Sequence, residues 1–329
     1  MWVAYFKRTI NVLLLVFLLV LIKDSLVSGQ HEKIVSDCTS YKDTVFVTKD
    51  AFSFAFPNAP IKFVINNQCQ AYTPLIYNGE PAEPKEFPHM ARLGNRKSNA
   101  SKIDWFCGGT LISKRFVLTA AHCFESLQGV VNVVRLGELD FARTDDVAMP
   151  EDFEVEKLIP HPNYTDQLLY HDIALIKLAK DVSFDRYKHP ACLPFEDGYS
   201  FDTFVATGWG STSAAVLHSS KLLKAQLQRF SDTNCRKEYS TSEEFPQGFD
   251  ATTQICVGSK FGRDTCDGDS GGPLLSYHKD YPCMYHVMGV TSLGVDCGNP
   301  NKPGLYTRVY HYLDWITENV WSNSQLIKF

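Results

Sequence analysis

The sequence Gly-Asp-Ser-Gly-Gly-Pro at residues 268–273 constrains the fold of this 329-residue chain more than any other feature. Glycine allows a sharp turn and a close approach of backbone N–H groups to a bound carbonyl. Ser270 would therefore have an oxyanion hole beside it. A serine hydroxyl is inert without a base. The fold must therefore bring a base to Ser270 from elsewhere in the chain.

Two upstream motifs supply the candidate partners of this serine. His122 lies in Leu-Thr-Ala-Ala-His-Cys at 118–123, and Asp172 lies in Tyr-His-Asp-Ile-Ala-Leu at 170–175. The chain order His122, Asp172, Ser270 is the order found in chymotrypsin-type β-barrel proteases. On these three motifs the chain resembles the chymotrypsin/trypsin-type serine proteases.

Short apolar or alternating runs recur from Ile76 onward, separated by Gly, Pro and Asp clusters. This pattern predicts an all-β barrel or sandwich and does not choose between them. Near the end, Val309, Leu313, Ile316 and Val320 recur at helical spacing. The family resemblance, which runs from about residue 76 to the C-terminus, implies two six-stranded antiparallel β-barrels with a C-terminal helix.

The resemblance also implies a role for each catalytic residue. His122 would act as general base on Ser270 and then as acid toward the leaving amine. Asp172 would hold the imidazole in the required tautomer. The backbone N–H groups of Gly268 and Ser270 would be the oxyanion donors. This chemistry requires no cofactor.

Asp264 lies six residues before the serine, where the family places the floor of its specificity pocket. A buried carboxylate is costly unless a cation meets it. The resemblance therefore implies cleavage after Arg or Lys, whereas the alternative is a solvated loop acid. The other substrate-binding residues that the resemblance implies are Ser292, Gly294 and Gly304 in the pocket, with Asp267 at its mouth.

The segment 75–82 aligns with the activation sequence of the family. A cut between Leu75 and Ile76 would free an α-amino group that pairs with Asp269 in active relatives. Because Leu75 is not basic, a pocket with Asp264 at its floor should not cleave there. We therefore expect a separate activating protease of chymotrypsin- or elastase-like preference.

Residues 1–29 have the pattern of a secretory signal peptide. Lys7 and Arg8 precede an apolar run of 13 residues at 10–22, and small residues follow it. The alternative, an uncleaved membrane anchor, needs roughly 20 apolar residues. We therefore predict a secreted, extracellular protein with no membrane partner. A net charge of −5 with no basic block argues against nucleic acid.

Residues 30–75 are predicted to be a propeptide, followed by a trypsin-like peptidase domain at 76–329. Within the family, Pro-Leu-Ile at 74–76 and Glu-Phe-Pro-His-Met-Ala at 86–91 resemble arthropod snake-like proteases. These clip-domain relatives act in extracellular zymogen cascades. A clip domain needs six cysteines, and 30–75 holds two, so no complete clip domain is expected. We expect this segment to be polar and irregular, with no long helix.

The resemblance implies three classes of partner. They are protein substrates such as other zymogens, an upstream activating protease, and serpin-type inhibitors. Two other functions fit the same sequence. One is a digestive or general trypsin, and the other is a non-catalytic binding protein with a protease fold.

The ten cysteines of a secreted chain are expected to form disulfides. The pairs implied by the resemblance are Cys107–Cys123, Cys235–Cys256, Cys266–Cys297 and Cys69–Cys192, the last of which would tether the propeptide. Cys38 and Cys283 remain and pair by elimination. The alternative is Cys38 with Cys69 and Cys192 with Cys283.

Two kinds of accessory site are also predicted. Asn99 and Asn163 begin glycosylation sequons. Glu138 and Glu151 occupy the positions where calcium-binding relatives place their carboxylates, with three further acids between them. Hard oxygen ligands suit a structural calcium ion, although acidic loops are more often merely solvated.

Overall fold

Strands dominate the computed structural model of the chain. The structure describes residues 29, 32–43, 46–52, 60–66, 80–97, 102–213, 216–259, 268–281, 284–294 and 302–321. The strands of the first half are β1 Phe46–Phe52, β2 Pro60–Asn66, β3 Glu80–Pro81, β4 Met90–Arg96, β5 Ile103–Leu111, β6 Phe116–Thr119, β7 Glu125–Ser126, β8 Gly129–Val130, β9 Val133–Leu136, β10 Glu151–Pro160 and β11 Ala174–Leu178. Those of the second half are β12 Thr203–Gly208, β13 Ser211–Ser213, β14 Val216–His218, β15 Leu223–Arg229, β16 Gln254–Gly258, β17 Pro273–Tyr277, β18 Tyr285–Leu293 and β19 Gly304–Arg308.

Six strands of the first half close into an antiparallel barrel in the order β10-β11-β6-β5-β4-β9. Its interior is filled by aliphatic side chains with no solvent exposure, among them Leu93, Leu111, Leu118 and Leu175. Each such side chain contributes about 1.5–3 kcal/mol relative to exposure. The hydrophobic alternation of these runs therefore closes the sheet around one dry core.

The second barrel has the order β12-β17-β18-β19-β16-β15, and pairing of β12 with β15 closes it. The short strand β3 adds to its edge at β15. The core contains Phe204, Leu227, Leu274 and Tyr306, all fully buried. The prediction of two six-stranded antiparallel barrels is confirmed, and the sandwich alternative is excluded.

The C-terminal helix is confirmed as well. A 3₁₀ turn at Val309–Tyr312 leads into α3 at Leu313–Trp321, and Ile316 is fully buried against the first barrel core. The other helix of the peptidase region, α2, spans Asp232–Glu238. Ser231 caps it by accepting a hydrogen bond from the backbone N–H of Asn234.

The segment predicted to be a propeptide contains a helix that the sequence analysis did not predict. Residues 32–43 form α1, and β1 and β2 pair as an antiparallel hairpin after it. The buried residues of α1 are Ile34, Cys38 and Tyr41, whose spacing of four and three places them on one face. The expectation of an irregular segment is therefore wrong here, because this apolar face packs on the peptidase region.

Three disulfides lie within the described residues. Cys107–Cys123 and Cys235–Cys256 are confirmed. Cys192 bonds to Cys38, not to Cys69 or Cys283, so the predicted Cys69–Cys192 tether is wrong. Docking of α1 is the reason, since it brings the Cα atoms of Cys38 and Cys192 to 5.0 Å, within normal disulfide range. The predicted Cys266–Cys297 pair, and Cys69 and Cys283, lie outside the described residues.

Candidate active site

Pairing of β6 with β11 brings the predicted histidine and aspartate to the same end of the first barrel. Thr119 pairs with Ala174 across these strands. His122 lies three residues beyond Thr119, in the 3₁₀ turn Ala121–Phe124. Asp172 lies two residues before Ala174. Two motifs that are distant in the sequence therefore meet because their strands are neighbours.

Asp172 is a buried carboxylate that binds His122 at two points. Its Oδ2 lies 2.7 Å from His122 Nδ1, and its Oδ1 accepts the backbone N–H of His122 at 3.0 Å. The side chain of Asp172 is 7% exposed and that of His122 is 34% exposed. The contact through Nδ1 leaves Nε2 as the nitrogen that can take a proton from a nucleophile.

The two groups shift each other's pKa. Burial raises the pKa of Asp172, but the charge and hydrogen bonds of His122, with a hydrogen bond from Ser292, bring it below its usual value. Burial lowers the pKa of His122, but the charge and hydrogen bond of Asp172 raise it above its usual value. The pair thus favours an imidazolium next to a carboxylate, the state that a general base reaches after it accepts a proton.

Ser270 lies in the loop that enters β17, held between the two barrels. Its carbonyl accepts the N–H of Gly108 on β5 at 2.7 Å, and the N–H of Gly271 donates to Thr291 on β18 at 2.8 Å. A Cβ on Gly271, whose φ is +76°, would overlap Thr119 at the end of β6. The loop therefore packs against the strand that leads to His122.

The described contacts do not include a hydrogen bond between Ser270 and His122. His122 Nε2 lies 3.8 Å from Cys123 Sγ. Catalytic hydrogen bonds are often long in a free enzyme and tighten when substrate binds. The structure therefore shows the base with its orienting carboxylate and places the serine loop beside them.

Two backbone N–H groups of the loop are free for a ligand. Within the part of the chain that the structure describes, the N–H groups of Gly268 and Ser270 have no hydrogen-bond acceptor, whereas those of Gly271 and Gly272 do. Gly268 has φ +94°, and a Cβ there would overlap the ring of His218. Glycine is thus required at 268, and the two free donors suit an oxyanion.

Ser292 contributes to the site in a way that the sequence reading missed. It was assigned to the pocket wall, but its Oγ donates to Asp172 Oδ2 at 2.5 Å. The register of β18 against β19 shifts between Thr291 and Leu293. A bulge of this kind re-aims a side chain. No alternation pattern reveals such a shift, so only the structure identifies Ser292 as a third donor to Asp172.

Asp269, the predicted partner of a new amino terminus, lies in a space made by glycines. The N–H of Gly210 donates to its Oδ1 at 2.7 Å. A Cβ on Gly208 or Gly210 would overlap the same carboxylate. The second barrel therefore leaves room for this side chain where any larger residue would exclude it.

The remaining predicted site residues divide into two groups. Gly304 begins β19 and is buried, Gly294 is exposed just after β18, and Asn163 is exposed in a turn. The residues that lie outside the described part of the chain are Leu75, Ile76, Asn99, Asp264 and Asp267.

The predicted calcium site does not fit the structure. Glu138 accepts from Arg135 at 3.2 Å and from the N–H of Leu139 at 2.9 Å. Glu151 pairs with Lys180 at 2.8 Å. Basic side chains thus hold both carboxylates. Among the described residues, neither belongs to a cluster of three acidic, His or Cys ligands. The contacts of Glu138 and Glu151 therefore give no support to calcium at these residues, which stays a prediction.

One apparent metal cluster near the site is also not a metal site. Cys107, His122 and Cys123 bring one ligand atom each within 4.8 Å of one another. The two cysteines are bonded to each other, so neither offers a thiolate. The histidine is committed to Asp172.

Among the helices of the described residues, none is both long and apolar enough to cross a membrane.

Comparison with known proteins agrees with this geometry. Serine protease snk of Drosophila melanogaster is 41% identical over 253 residues, which cover 76% of this chain and 58% of that protein. Venom serine protease Bi-VSP of Bombus ignitus is 39% identical over 247 residues, 73% of this chain and 66% of that protein. Phenoloxidase-activating factor 3 of Holotrichia diomphalia is 36% identical over 259 residues, which cover 74% of this chain and 72% of that protein.

The chain thus spans 58% and 66% of the length of the first two relatives, less than two thirds. A family model described as Trypsin matches residues 76–316, most of the chain. The matched region contains both barrels, the His122–Asp172 pair and the Ser270 loop. The chain belongs to the trypsin family of serine proteases.

Proposed function

We propose that this chain is a secreted serine endopeptidase zymogen that cleaves proteins after Arg or Lys and acts in an extracellular proteolytic cascade. The observation that carries the proposal is the pair of His122 with the buried Asp172, with its Nδ1–Oδ2 distance of 2.7 Å, beside a serine loop with two free N–H groups. A decoy that only binds would have no need of a buried ion pair next to a nucleophile.

The geometry supports acyl transfer in two stages. His122 Nε2 takes the Ser270 proton as Oγ attacks the scissile carbonyl, and Asp172 stabilises the imidazolium. The N–H groups of Gly268 and Ser270 receive the developing oxyanion. His122 then gives its proton to the leaving amine, and water repeats the sequence on the acyl-enzyme. Each step uses this chain's own groups and no cofactor.

Specificity for Arg or Lys rests on Asp264, supported by the small residues around the proposed pocket. Gly294 and Gly304 carry no side chain, and Ser292 turns its hydroxyl away to Asp172. A pocket with these walls leaves space for a long side chain, and a carboxylate at its floor favours a cation. Asp267 at the mouth would add negative potential and favour basic flanking residues.

Activation is proposed to occur by cleavage between Leu75 and Ile76. The new amino group of Ile76 would join Gly210 as a partner of the Asp269 carboxylate. Breaking a buried ion pair costs about 3–5 kcal/mol, which is enough to switch a loop. The mismatch between Leu75 and an Asp264 pocket supports an activator of different specificity.

The cascade role is supported by the relatives, of which one is called an activating factor for phenoloxidase. Other zymogens are therefore the proposed substrates, and serpin-type inhibitors the proposed regulators. The N-terminal apolar run and the disulfides support secretion. Glycosylation is proposed at Asn99 and at Asn163, where the exposed turn makes the side chain accessible.

One experiment tests the enzyme and its specificity together. The purified uncut chain is treated with an elastase-like protease, and the N-terminus of the product is sequenced. The cut protein is then labelled with a fluorophosphonate and profiled on a peptide library, with Ser270→Ala as the matched control. Labelling of Ser270 and cleavage after Arg or Lys are expected.

Three other outcomes would contradict parts of the proposal. Properly cut protein that does not label refutes the enzyme. Preference for Leu or Phe refutes the role of Asp264. Processing at Leu75 by the pure chain alone refutes the need for a separate activator. Broad degradation of unrelated proteins would favour the digestive alternative over a cascade role.

A further inference from the structure

Arg92 is a buried cation that the proposed chemistry does not use. It lies on β4 in the first barrel and is 2% exposed. A buried charge is costly unless it is paired and hydrogen-bonded. Aliphatic side chains fill neighbouring positions of this barrel, so an arginine here needs a specific partner.

The partner of Arg92 is the serine loop, 176 residues further along the chain. Its Nη1 donates to the carbonyl oxygen of Gly268 at 2.5 Å. Burial lowers the pKa of the guanidinium to about 10, and the negative charge of Asp269 opposes that shift. Arg92 thus meets both residues that precede the nucleophile, one through its carbonyl and the other through its charge.

This contact acts on the backbone that carries the oxyanion donors. Gly268 has φ +94° and no side chain, so its own covalent structure does little to fix its orientation. Rotation about the backbone bonds of Gly268 would turn the Gly268–Asp269 peptide, and the carboxylate of Asp269 with it, relative to the Gly268 N–H. Gly108 holds the far side of the loop through the Ser270 carbonyl. Arg92 holds the near side.

We propose that Arg92 is a positioning residue for the oxyanion hole. It fixes the Gly268–Asp269 peptide, which lies between the two peptides that carry the N–H groups of Gly268 and Ser270, and so limits the rotations that would turn these donors. It also gives Asp269 a permanent positive neighbour in addition to the amino group of Ile76. The inference rests on the proposed protease function. Arg92 touches neither substrate nor nucleophile and acts only through the loop.

The test compares ligands that do and do not use the oxyanion hole. Arg92→Met and Arg92→Lys are made in the cut enzyme. A peptide arginine aldehyde forms a tetrahedral adduct whose oxygen enters the hole, whereas benzamidine is a cation that occupies only the specificity pocket. The matched control is Arg308→Met, which removes another 2% exposed arginine that also donates to backbone carbonyls.

We expect Arg92→Met to lower kcat and aldehyde affinity together by about 10- to 100-fold, the range for one charge-assisted hydrogen bond. Benzamidine affinity and KM stay near wild type, and Arg92→Lys restores part of kcat. Arg308→Met lowers thermal stability without changing the affinity for the aldehyde relative to the affinity for benzamidine. If Arg92→Met loses affinity equally for the aldehyde and for benzamidine, or loses affinity for neither, the proposal is overturned.

Crystal structures distinguish failure of this inference from failure of the proposed function. If the wild-type cut protein does not turn over substrate, the protease proposal fails by itself. The Gly268 carbonyl can still be compared between wild type and Arg92→Met. A rotated carbonyl supports the positioning role, and an unchanged one refutes it. Arg92→Lys serves the same comparison if Arg92→Met does not fold.

Discussion

Replacing Ser292 with alanine should destabilise the protein in a way that depends on the ionisation of Asp172. The buried carboxylate accepts three hydrogen bonds, two from His122 and one from Ser292 at 2.5 Å. A hydrogen bond to a charged group contributes about 1.5–3 kcal/mol. Ser292→Ala should therefore lower the free energy of unfolding by about that amount at neutral pH, and lower turnover by about tenfold.

The pH dependence follows from the pKa of Asp172, which lies below its usual value in the folded protein. A depressed carboxyl pKa stabilises the fold above the unfolded pKa, about 3.9. That stabilisation disappears as the pH falls through the folded pKa. Since Ser292 is one cause of the depression, the penalty of Ser292→Ala is full above about pH 5 and shrinks toward pH 2.

The assay is urea unfolding with disulfides intact, in a Ser270→Ala background that prevents self-digestion. Thr307→Val is the matched control, because Thr307 donates at 2.7 Å to the neutral backbone carbonyl of Asp172. Its penalty, about 1 kcal/mol, should be the same at both ends of the pH range. A Ser292→Ala penalty that is also independent of pH would refute the bond to an ionised carboxylate.

Three further outcomes are expected. Asp172→Asn should lower turnover by about 10⁴, as in chymotrypsin-type triads, and NMR titration should show the pKa of His122 moving down, because a charge and an acceptor are lost. Non-reducing peptide mapping should recover Cys38 joined to Cys192, and a peptide joining Cys192 to Cys69 would contradict the fold of α1. EDTA should leave Tm unchanged, since Glu138 and Glu151 are paired with basic side chains.

The strands could be predicted from the sequence because their signals are local, whereas the two barrels and the partnership of His122 with Asp172 followed from the resemblance of three motifs to a known family. Each motif is contiguous, and a strand records its buried face in the alternation of its residues. The C-terminal helix could also be predicted, since Ile316 and the other apolar residues of this segment recur at helical spacing.

The disulfide of Cys38 could not be predicted, because it depends on where α1 docks. Tyr41 anchors that helix by donating to the carbonyl of Ile112 at 3.2 Å, and its ring meets Phe184 edge-on. The helix itself did leave a signal in the spacing of its apolar residues. Its partner surface, formed by residues far along the chain, left none.

Ser292 and Arg92 illustrate a second limit. The hydroxyl of Ser292 reaches Asp172 through a register shift in β18, and Arg92 is a charged residue within the run of buried residues in β4. The register shift and the buried charge both depart from the patterns by which strands and their buried faces are predicted. Such departures are retained where function requires them, so a buried charge within an apolar strand is itself a signal worth testing.

The site is divided between the barrels, and the division separates chemistry from control. His122 and Asp172 come from the first barrel, and the bonds that join them involve no residue of the activation segment. The Ser270 loop belongs to the second barrel and depends on Asp269. Cleavage at Leu75 should therefore order the oxyanion hole without altering the base. The uncut chain already holds the imidazole–carboxylate pair, so the proposed cleavage would act on the Ser270 loop alone.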